Sequence, residues 1–366
     1  MTISEADYRH KKVLIFPFGL LSHYIRMMVF AQRYLSDAQV VFVGDGGYQY
    51  QKLVEEHGFE YVKCASLNPN VVMPLANRFD FSWLNRFMLE PIYQAQVELI
   101  KASQADIVIG DFCPTLKMAA EKCSVPFHSV MNGYLSPYYN GTRRVPQRHF
   151  ANTIFKVFPL RLSDAVTRSM EKKKMKRLSR TFNRIRKKHG LAKSKGYLQE
   201  YEGDLNYICD DPAIFPQQGL PQNWKFIKPL VPLAKEGCEE KNYDVVISMG
   251  SSGDWSNLTF LTSKAYSELK MIAIGDVSQV LSCPHIDSVT FGDMHQFIRN
   301  TKLLICHGGN GTIQFGLKYK VPMLFLTSHF EQEWNAGRME ELGYGTWVKG
   351  KHAIQVTQTM QLLKLI

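Results

Sequence analysis

The apolar run Leu303-Leu304-Ile305-Cys306 passes directly into His307-Gly308-Gly309-Asn310-Gly311-Thr312, and a second apolar run, Val321-Pro322-Met323-Leu324-Phe325-Leu326, follows it. Short apolar runs bounded by glycines read as buried strands, and residues 313–319 between them read as a helix. Two such strands joined through a helix lie parallel, so this stretch commits the chain to a parallel sheet with helices on its faces. The turn has a chemical consequence as well. The first N–H groups of a helix lack internal partners and carry partial positive charge, so they stabilise an anion set against them. Gly308, Gly309 and Gly311 let the main chain approach that anion, while Thr312 offers a hydroxyl donor and His307 a charge-assisted one. The plain alternative is a glycine-rich turn beside a core histidine. Downstream, Phe330-Glu331-Gln332 reads as the loop leaving the second strand, on the same edge of the sheet.

Strand and helix alternate along the rest of the chain. Residues 12–17, 39–43, 105–111 and 125–130 read as strands, with helices over 22–35 and 115–122. A second series starts at Asp244-Val245-Val246-Ile247-Ser248-Met249-Gly250 and continues through 271–274 and 288–291 into the glycine-rich unit. Pro212, Pro216, Pro221, Pro229 and Pro232 mark a proline-rich connection between the halves. Two α/β domains are therefore expected, over residues 1–228 and 229–366.

A chain of 366 residues with 45% hydrophobic and 21% charged residues has room for two ordinary cores. No apolar run is long enough to span a bilayer, and the polar start over residues 1–9 is unlike a secretory leader. The seven cysteines (Cys64, Cys113, Cys123, Cys209, Cys238, Cys283 and Cys306) are dispersed with no C-x-x-C pair. That pattern points to reduced thiols in the cytoplasm and to no metal site.

The formal net charge of +11 is concentrated. Fourteen of the 44 bases and only two of the 33 acids, Asp164 and Glu171, lie between residues 161 and 195. There Met175, Leu178, Phe182 and Ile185 recur at helical spacing, with Gly190 as a stop, which predicts a basic amphipathic helix over about 164–190. It suits either a solvated helix packing one apolar stripe or a surface drawn to an anionic membrane. Nucleic acid is not expected, because no recognised binding motif accompanies the charge.

His23 lies in the turn after the first strand and Asp111 ends another strand, which places both at the ligand edge of one parallel sheet. A neutral imidazole held by a carboxylate can take the proton from an attacking hydroxyl. Singly, each residue also suits a bland role: His23 as a surface residue at a helix start, Asp111 as a cap or turn former.

The run from Phe291 to Gly345 resembles the donor-binding signature of nucleotide-sugar-dependent glycosyltransferases with the GT-B fold, above all the UDP- and dTDP-dependent enzymes of antibiotic, macrolide and plant secondary metabolism. The likeness extends more loosely through Asn183, Arg186, Gly203-Asp204, Asp211-Pro212 and Pro229-Leu230. It implies an α/β architecture of two Rossmann-like domains facing across a cleft, here with a short C-terminal domain, since only seventeen residues follow Lys349. It implies that His307 and the turn through Gly308, Gly309, Asn310, Gly311 and Thr312 hold the donor diphosphate, that Glu331 and Gln332 hold the donor sugar, and that Phe291 stacks on the base. It implies His23 and Asp111 as the catalytic pair. Ser22 stands before that histidine where the family mostly has glycine. Phe315 stands where UDP-sugar enzymes commonly carry a glutamate for the ribose hydroxyls, which favours a deoxyribose nucleotide such as dTDP. The expected activity is inverting transfer of a hexose or deoxyhexose to a hydroxyl acceptor, whether small molecule, lipid or glycan, with no cofactor beyond the nucleotide-sugar co-substrate and no metal. The expected place is the cytoplasm, with a peripheral position at the inner face of the membrane as a variant. A sugar-nucleotide epimerase and a non-catalytic donor-binding subunit remain open alternatives.

Overall fold

Alternate residues of the central strands face opposite ways. In β1 (Lys12–Pro17), Leu14 and Phe16 join one core, while Val13 and Ile15 join another on the far side. The same split divides β2 (Gln39–Gly44), where Val41 and Val43 oppose Val40 and Phe42, and β4 (Ile107–Asp111), where Val108 opposes Ile107 and Ile109. A sheet buried on both faces needs apolar residues at every position of its central strands, which is why these strands are continuous runs rather than alternations. The structure, a computed structural model, describes residues 8–45, 47–78, 80–143, 145–146, 159–234, 241–250, 253–275, 283–350 and 352–365; Cys238 and most of the polar start lie outside them.

Contacts divide the chain into Met1–Leu230 and Val231–Ile366. In the first unit, β3 (Glu60–Lys63), β5 (Phe127–Met131), β6 (Leu205–Ile208) and β7 (Trp224–Phe226) complete an all-parallel sheet in the order β3-β2-β1-β4-β5-β6-β7. Helix α1 (Leu21–Tyr34) lays Tyr24, Met27, Met28 and Ala31 on the sheet, a stripe at i, i+3, i+4 and i+7. Helices α2 (Tyr48–Glu56), α3 (Pro69–Ala76), α4 (Arg86–Ser103) and α5 (Leu116–Cys123) follow, then α6 (Leu160–Lys188). The basic helix thus starts four residues before its predicted boundary. Its Phe182 and Ile185 are fully buried and Met175 and Leu178 pack on the same core. The segment expected to link the domains does not do so at its start: Pro212, Pro216 and Pro221 lie between β6 and β7, inside the first unit.

In the second unit, β8 (Val245–Ser248), β9 (Met271–Ile274), β10 (Ile286–Val289), β11 (Leu303–Cys306), β12 (Met323–Phe325) and β13 (Gly345–Trp347) are again all parallel, ordered β10-β9-β8-β11-β12-β13. Their helices are α7 (Met294–Ile298), α8 (Asn310–Tyr319), α9 (Phe330–Glu341) and α10 (His352–Leu362). Both sheets reverse their winding beside the first strand of the unit, between β1 and β4 and between β8 and β11. Such a switch point opens a crevice at the carboxyl ends of the strands.

Candidate functional site

At the first switch point Pro17 and Asp111 are register partners, and the Phe18 amide donates to the Asp111 carbonyl at 3.0 Å, so the ends of β1 and β4 are locked together. Helix α1 starts four residues after β1 ends and brings His23 over this edge in its first turn. His23 Nδ1 lies 2.8 Å from Asp111 Oδ2; the carboxylate is fully buried and the imidazole retains 18% of its surface. With Nδ1–H donated to Asp111, the lone pair is on Nε2, which has no hydrogen-bond partner among the described residues. Burial lowers the His23 pKa below the ordinary value against the pull of Asp111, and the Arg26 guanidinium adds to the lowering. Burial alone would push Asp111 up, but Arg26 and then His23 outweigh it and hold the carboxyl below its usual value. The imidazole is therefore a neutral base beside an ionised carboxylate.

Two groups here escaped the sequence reading. Arg26 hydrogen-bonds both oxygens of Asp111, and its Nη1 donates to Asn132 Oδ1 at 2.6 Å. The spacing of His23 and Arg26, i and i+3 on one helix, was the available signal. Asn132, directly after β5, carried none. Next to Asp111, Phe112 holds a left-handed φ of 58°, uncommon for a bulky residue. It stacks on Tyr201 with ring centroids 5.0 Å apart and meets Phe18 edge-on. A small hollow adjoins these groups, lined by Asp111, Phe112, Met131, Leu135, Leu198 and Tyr201 among others. It is concave and mainly apolar with one buried carboxylate at its edge.

At the second switch point Cys306 is the register partner of Ser248. Helix α8 starts at Asn310, three residues earlier than predicted, so Gly311 and Thr312 belong to its first turn. The main-chain amides of Gly311 and Thr312 have no acceptor among the described residues, and the cap residue Gly309 supplies no side chain. An anion can be held there. The glycines divide the work differently from the sequence expectation. A Cβ on Gly309 would fall 2.3 Å from His307 Nε2, and one on Gly250 would fall 2.7 Å from Cε1 of the same ring, so these two make room for the histidine. Gly308 adopts φ +88° against the Gln332 carbonyl, and Gly311 alone of the four faces open space.

His307 is also different from the charge-assisted donor that the sequence suggested. Burial lowers its pKa to about 4, and burial and His307 lower that of His329 to about 3, so both are neutral rings near pH 7. Glu331 and Gln332 sit in the first turn of α9 rather than in a loop. Gln332 is buried, with its Oε1 accepting from the Ser328 amide at 2.7 Å, whereas Glu331 is half-buried. Asn335 Nδ2 donates to the Gly308 carbonyl at 3.0 Å and so ties α9 to the glycine turn. Phe291, just past β10, is 63% exposed. Phe315 lies one turn into α8, half-buried and edge-on to His295.

Two all-parallel Rossmann-like units, each with polar groups gathered at its switch point, define the GT-B class of α/β chains. The chain resembles the nucleotide-sugar-dependent glycosyltransferases of that class. Residues 222–364 match the sequence model of the glycosyltransferase family 28 C-terminal domain. Among curated proteins, a PGL/p-HBAD biosynthesis rhamnosyltransferase of Mycobacterium bovis (strain BCG / Pasteur 1173P2) is 24% identical over 276 residues, 71% of this chain and 60% of the relative. A PGL/p-HBAD biosynthesis glycosyltransferase of Mycobacterium tuberculosis (strain ATCC 25177 / H37Ra) is 23% identical over 278 residues, 72% of this chain and 64% of its own length. The chain thus spans less than two thirds of these relatives. Among solved structures, the spinosyn rhamnosyltransferase complexed with thymidine diphosphate superposes with a TM-score of 0.67 at 15% identity, covering 96% of this chain and 91% of its own. The glycosyltransferase VinC in complex with dTDP gives 0.62 at 15% identity, covering 96% and 91%.

Proposed function

We propose that the chain is an inverting glycosyltransferase that moves a hexose or deoxyhexose from a dTDP- or UDP-sugar to a hydroxyl acceptor. The observation that carries this reading is the His23–Asp111 pair, with Nδ1 committed to the carboxylate at 2.8 Å and Nε2 left as a base. In the proposed step the acceptor O–H gives its proton to Nε2 while its oxygen attacks the anomeric carbon. The bond from that carbon to the diphosphate breaks, and the nucleotide leaves with the electron pair. The amides of Gly311 and Thr312 and the α8 dipole meet the developing charge, a preorganised electrostatic role that needs no metal. The exposed ring of Phe291 can stack on the base, and Phe315, which accepts no hydrogen bond, supports a deoxyribose nucleotide. The nucleotides named in the two solved relatives agree with that preference.

The test is thermal-shift screening with dTDP, UDP, GDP and CMP, followed by transfer assays of His23→Ala. Stabilisation by dTDP is expected, with transfer reduced about 100-fold or more and nucleotide affinity retained. Equal turnover in the variant would remove His23 from the mechanism. Release of epimerised sugar without an acceptor would favour an epimerase, and donor binding with no turnover a non-catalytic subunit.

A position at the membrane surface is supported by the outer face of α6. Lys173, Arg177, Arg180, Arg184 and Lys187 follow one another at intervals of three or four residues, all exposed, and none forms an ion pair among the described residues. Both acids of the helix are already paired: Asp164 with Arg168 of the same helix at 2.9 Å, Glu171 with Arg143 at 3.8 Å. Leu162 and Met170 lie exposed on the N-terminal part of the same face. Such a row is attracted to anionic lipid at about 1 kcal/mol per base. Neutralising Lys173, Lys176, Arg177 and Arg180 to Gln should abolish sedimentation with phosphatidylglycerol vesicles; unchanged sedimentation would sink this variant.

A further inference from the structure

Arg26 joins the catalytic candidates and a neighbouring amide at the first switch point. It stands one turn beyond His23, bonds both Asp111 oxygens and Asn132, and places Nη2 3.0 Å from His23 Nδ1. Its side chain is 12% exposed and Asp111 is not exposed at all, so the three charges and dipoles interact with little screening by solvent. Nδ1 cannot accept from Arg26 while it donates to Asp111, so the short Nη2 approach is a juxtaposition of positive charge with the ring. A two-membered histidine–aspartate pair gains strongly from becoming imidazolium–carboxylate. Here the guanidinium already neutralises the carboxylate, and protonating the ring would add a second cation beside the first.

We infer that Arg26 is a positioning residue of this site: it competes with His23 for Asp111, fixes the carboxylate for the Nδ1–H tautomer, and keeps the ring from holding a proton before the acceptor arrives. The charged groups that shift the His23 ring are Asp111 and Arg26. Cys113, from the turn after β4, and Cys209, after β6, are thiols that burial pushes upward and hence neutral. Asn132 is an uncharged amide, and Phe18 an aromatic edge at 5.5 Å from the ring. Asp210, the next acid along, accepts from the Gly133 amide at 2.6 Å.

This inference rests on reading His23 as the base, and its test separates the two. His23 ring titration is followed by NMR of the full chain labelled with 13C-histidine, with His23→Gln for assignment, in the wild type, Arg26→Gln and Arg26→Lys. dTDP release from dTDP-rhamnose is measured over the same pH range. Arg26→Gln should move the ring titration upward by about one pH unit or more, while Arg26→Lys, which keeps the charge, should stay much nearer the wild type. An unmoved titration in Arg26→Gln would overturn the inference. So would a wild-type ring titrating above about 7, a result that needs no folded variant. A ring titration that moves while the acid limb of dTDP release stays fixed would uphold Arg26 and remove His23 as the base.

Discussion

Gly308→Ala is the substitution for which the structure gives the sharpest expectation. The residue adopts φ +88°, and a methyl group there would sit 2.9 Å from the Gln332 carbonyl oxygen, a main-chain atom in the first turn of α9 that cannot swing aside. An L-residue in left-handed backbone costs about 1–2 kcal/mol. Forcing a methyl into packed surroundings adds about 1–3 kcal/mol. The sum, about 2–5 kcal/mol, is a large share of the stability of an ordinary domain. Any relief by movement of the turn pulls the Gly308 carbonyl from Asn335 Nδ2, now at 3.0 Å, and displaces the amides of Gly311 and Thr312. Urea titration should therefore show a lower midpoint at unchanged slope. Where the variant remains folded, dTDP affinity by calorimetry should fall about tenfold or more, equivalent to about 1.4 kcal/mol. Gly311→Ala is the control. Its Cβ meets nothing within 4 Å, so its stability should stay within about 0.5 kcal/mol of wild type. The reasoning is refuted if Gly308→Ala is as stable as wild type, or if the two alanines cost the same.

If His23 is the base, its lowered pKa places the acid limb of kcat/KM below the ordinary histidine value of about 6.5, so activity persists into mild acid and falls only as pH drops through the folded value; an acid limb above pH 7 would contradict this. His307 and His329 make stability itself depend on pH. Their folded pKa values, about 4 and about 3, lie below the unfolded one, so the unfolded state binds more protons under pH 6.5 and stability falls with acid. Each ring contributes up to about 1.4 kcal/mol per pH unit, and His329→Gln should flatten the loss between pH 6.5 and 4.5 measured by urea midpoints. Arg186→Ala should cost about 3–5 kcal/mol in the same assay, because it strands Glu200, fully buried and bound by the guanidinium at 2.8 and 2.9 Å.

Where burial is two-sided, the pattern is local and visible: β1, β2, β4, β8 and β11 are dominated by apolar residues because both faces of each strand are covered. β6 and β7 have four and three residues and include Asn206 and Lys225, so no run announced them, and the prolines between them read as a linker. The candidate site divides in the same way. His23 and the turn at 307–312 follow from residue type next to a strand end, a relation within about ten residues. The bond from Arg26 to Asp111 crosses 85 positions, and the neutrality of His307 depends on burial that outweighs the upward pull of a carbonyl 59 positions away, neither of which spacing encodes.

Glycine is the residue whose role was easiest to place and hardest to interpret. In the sequence, Gly308, Gly309 and Gly311 are equivalent signs of a close approach between backbone and ligand. In the structure three causes separate them: a backbone angle at 308, the volume of a neighbouring imidazole at 309, and open space at 311. The same imidazole accounts for Gly250 on the adjacent strand end, 59 residues upstream of Gly309. His307 therefore acts first as a packing element: by filling the space between the ends of β8 and β11, it determines where the turn begins, and hence where the free amides of α8 point their charge. Replacing it with a smaller neutral ring or amide should disturb the position of those amides before it removes any donated hydrogen bond. The lowered pKa and the paired glycines are two consequences of one buried ring, and both place its contribution in the shape of the anion site more than in its charge.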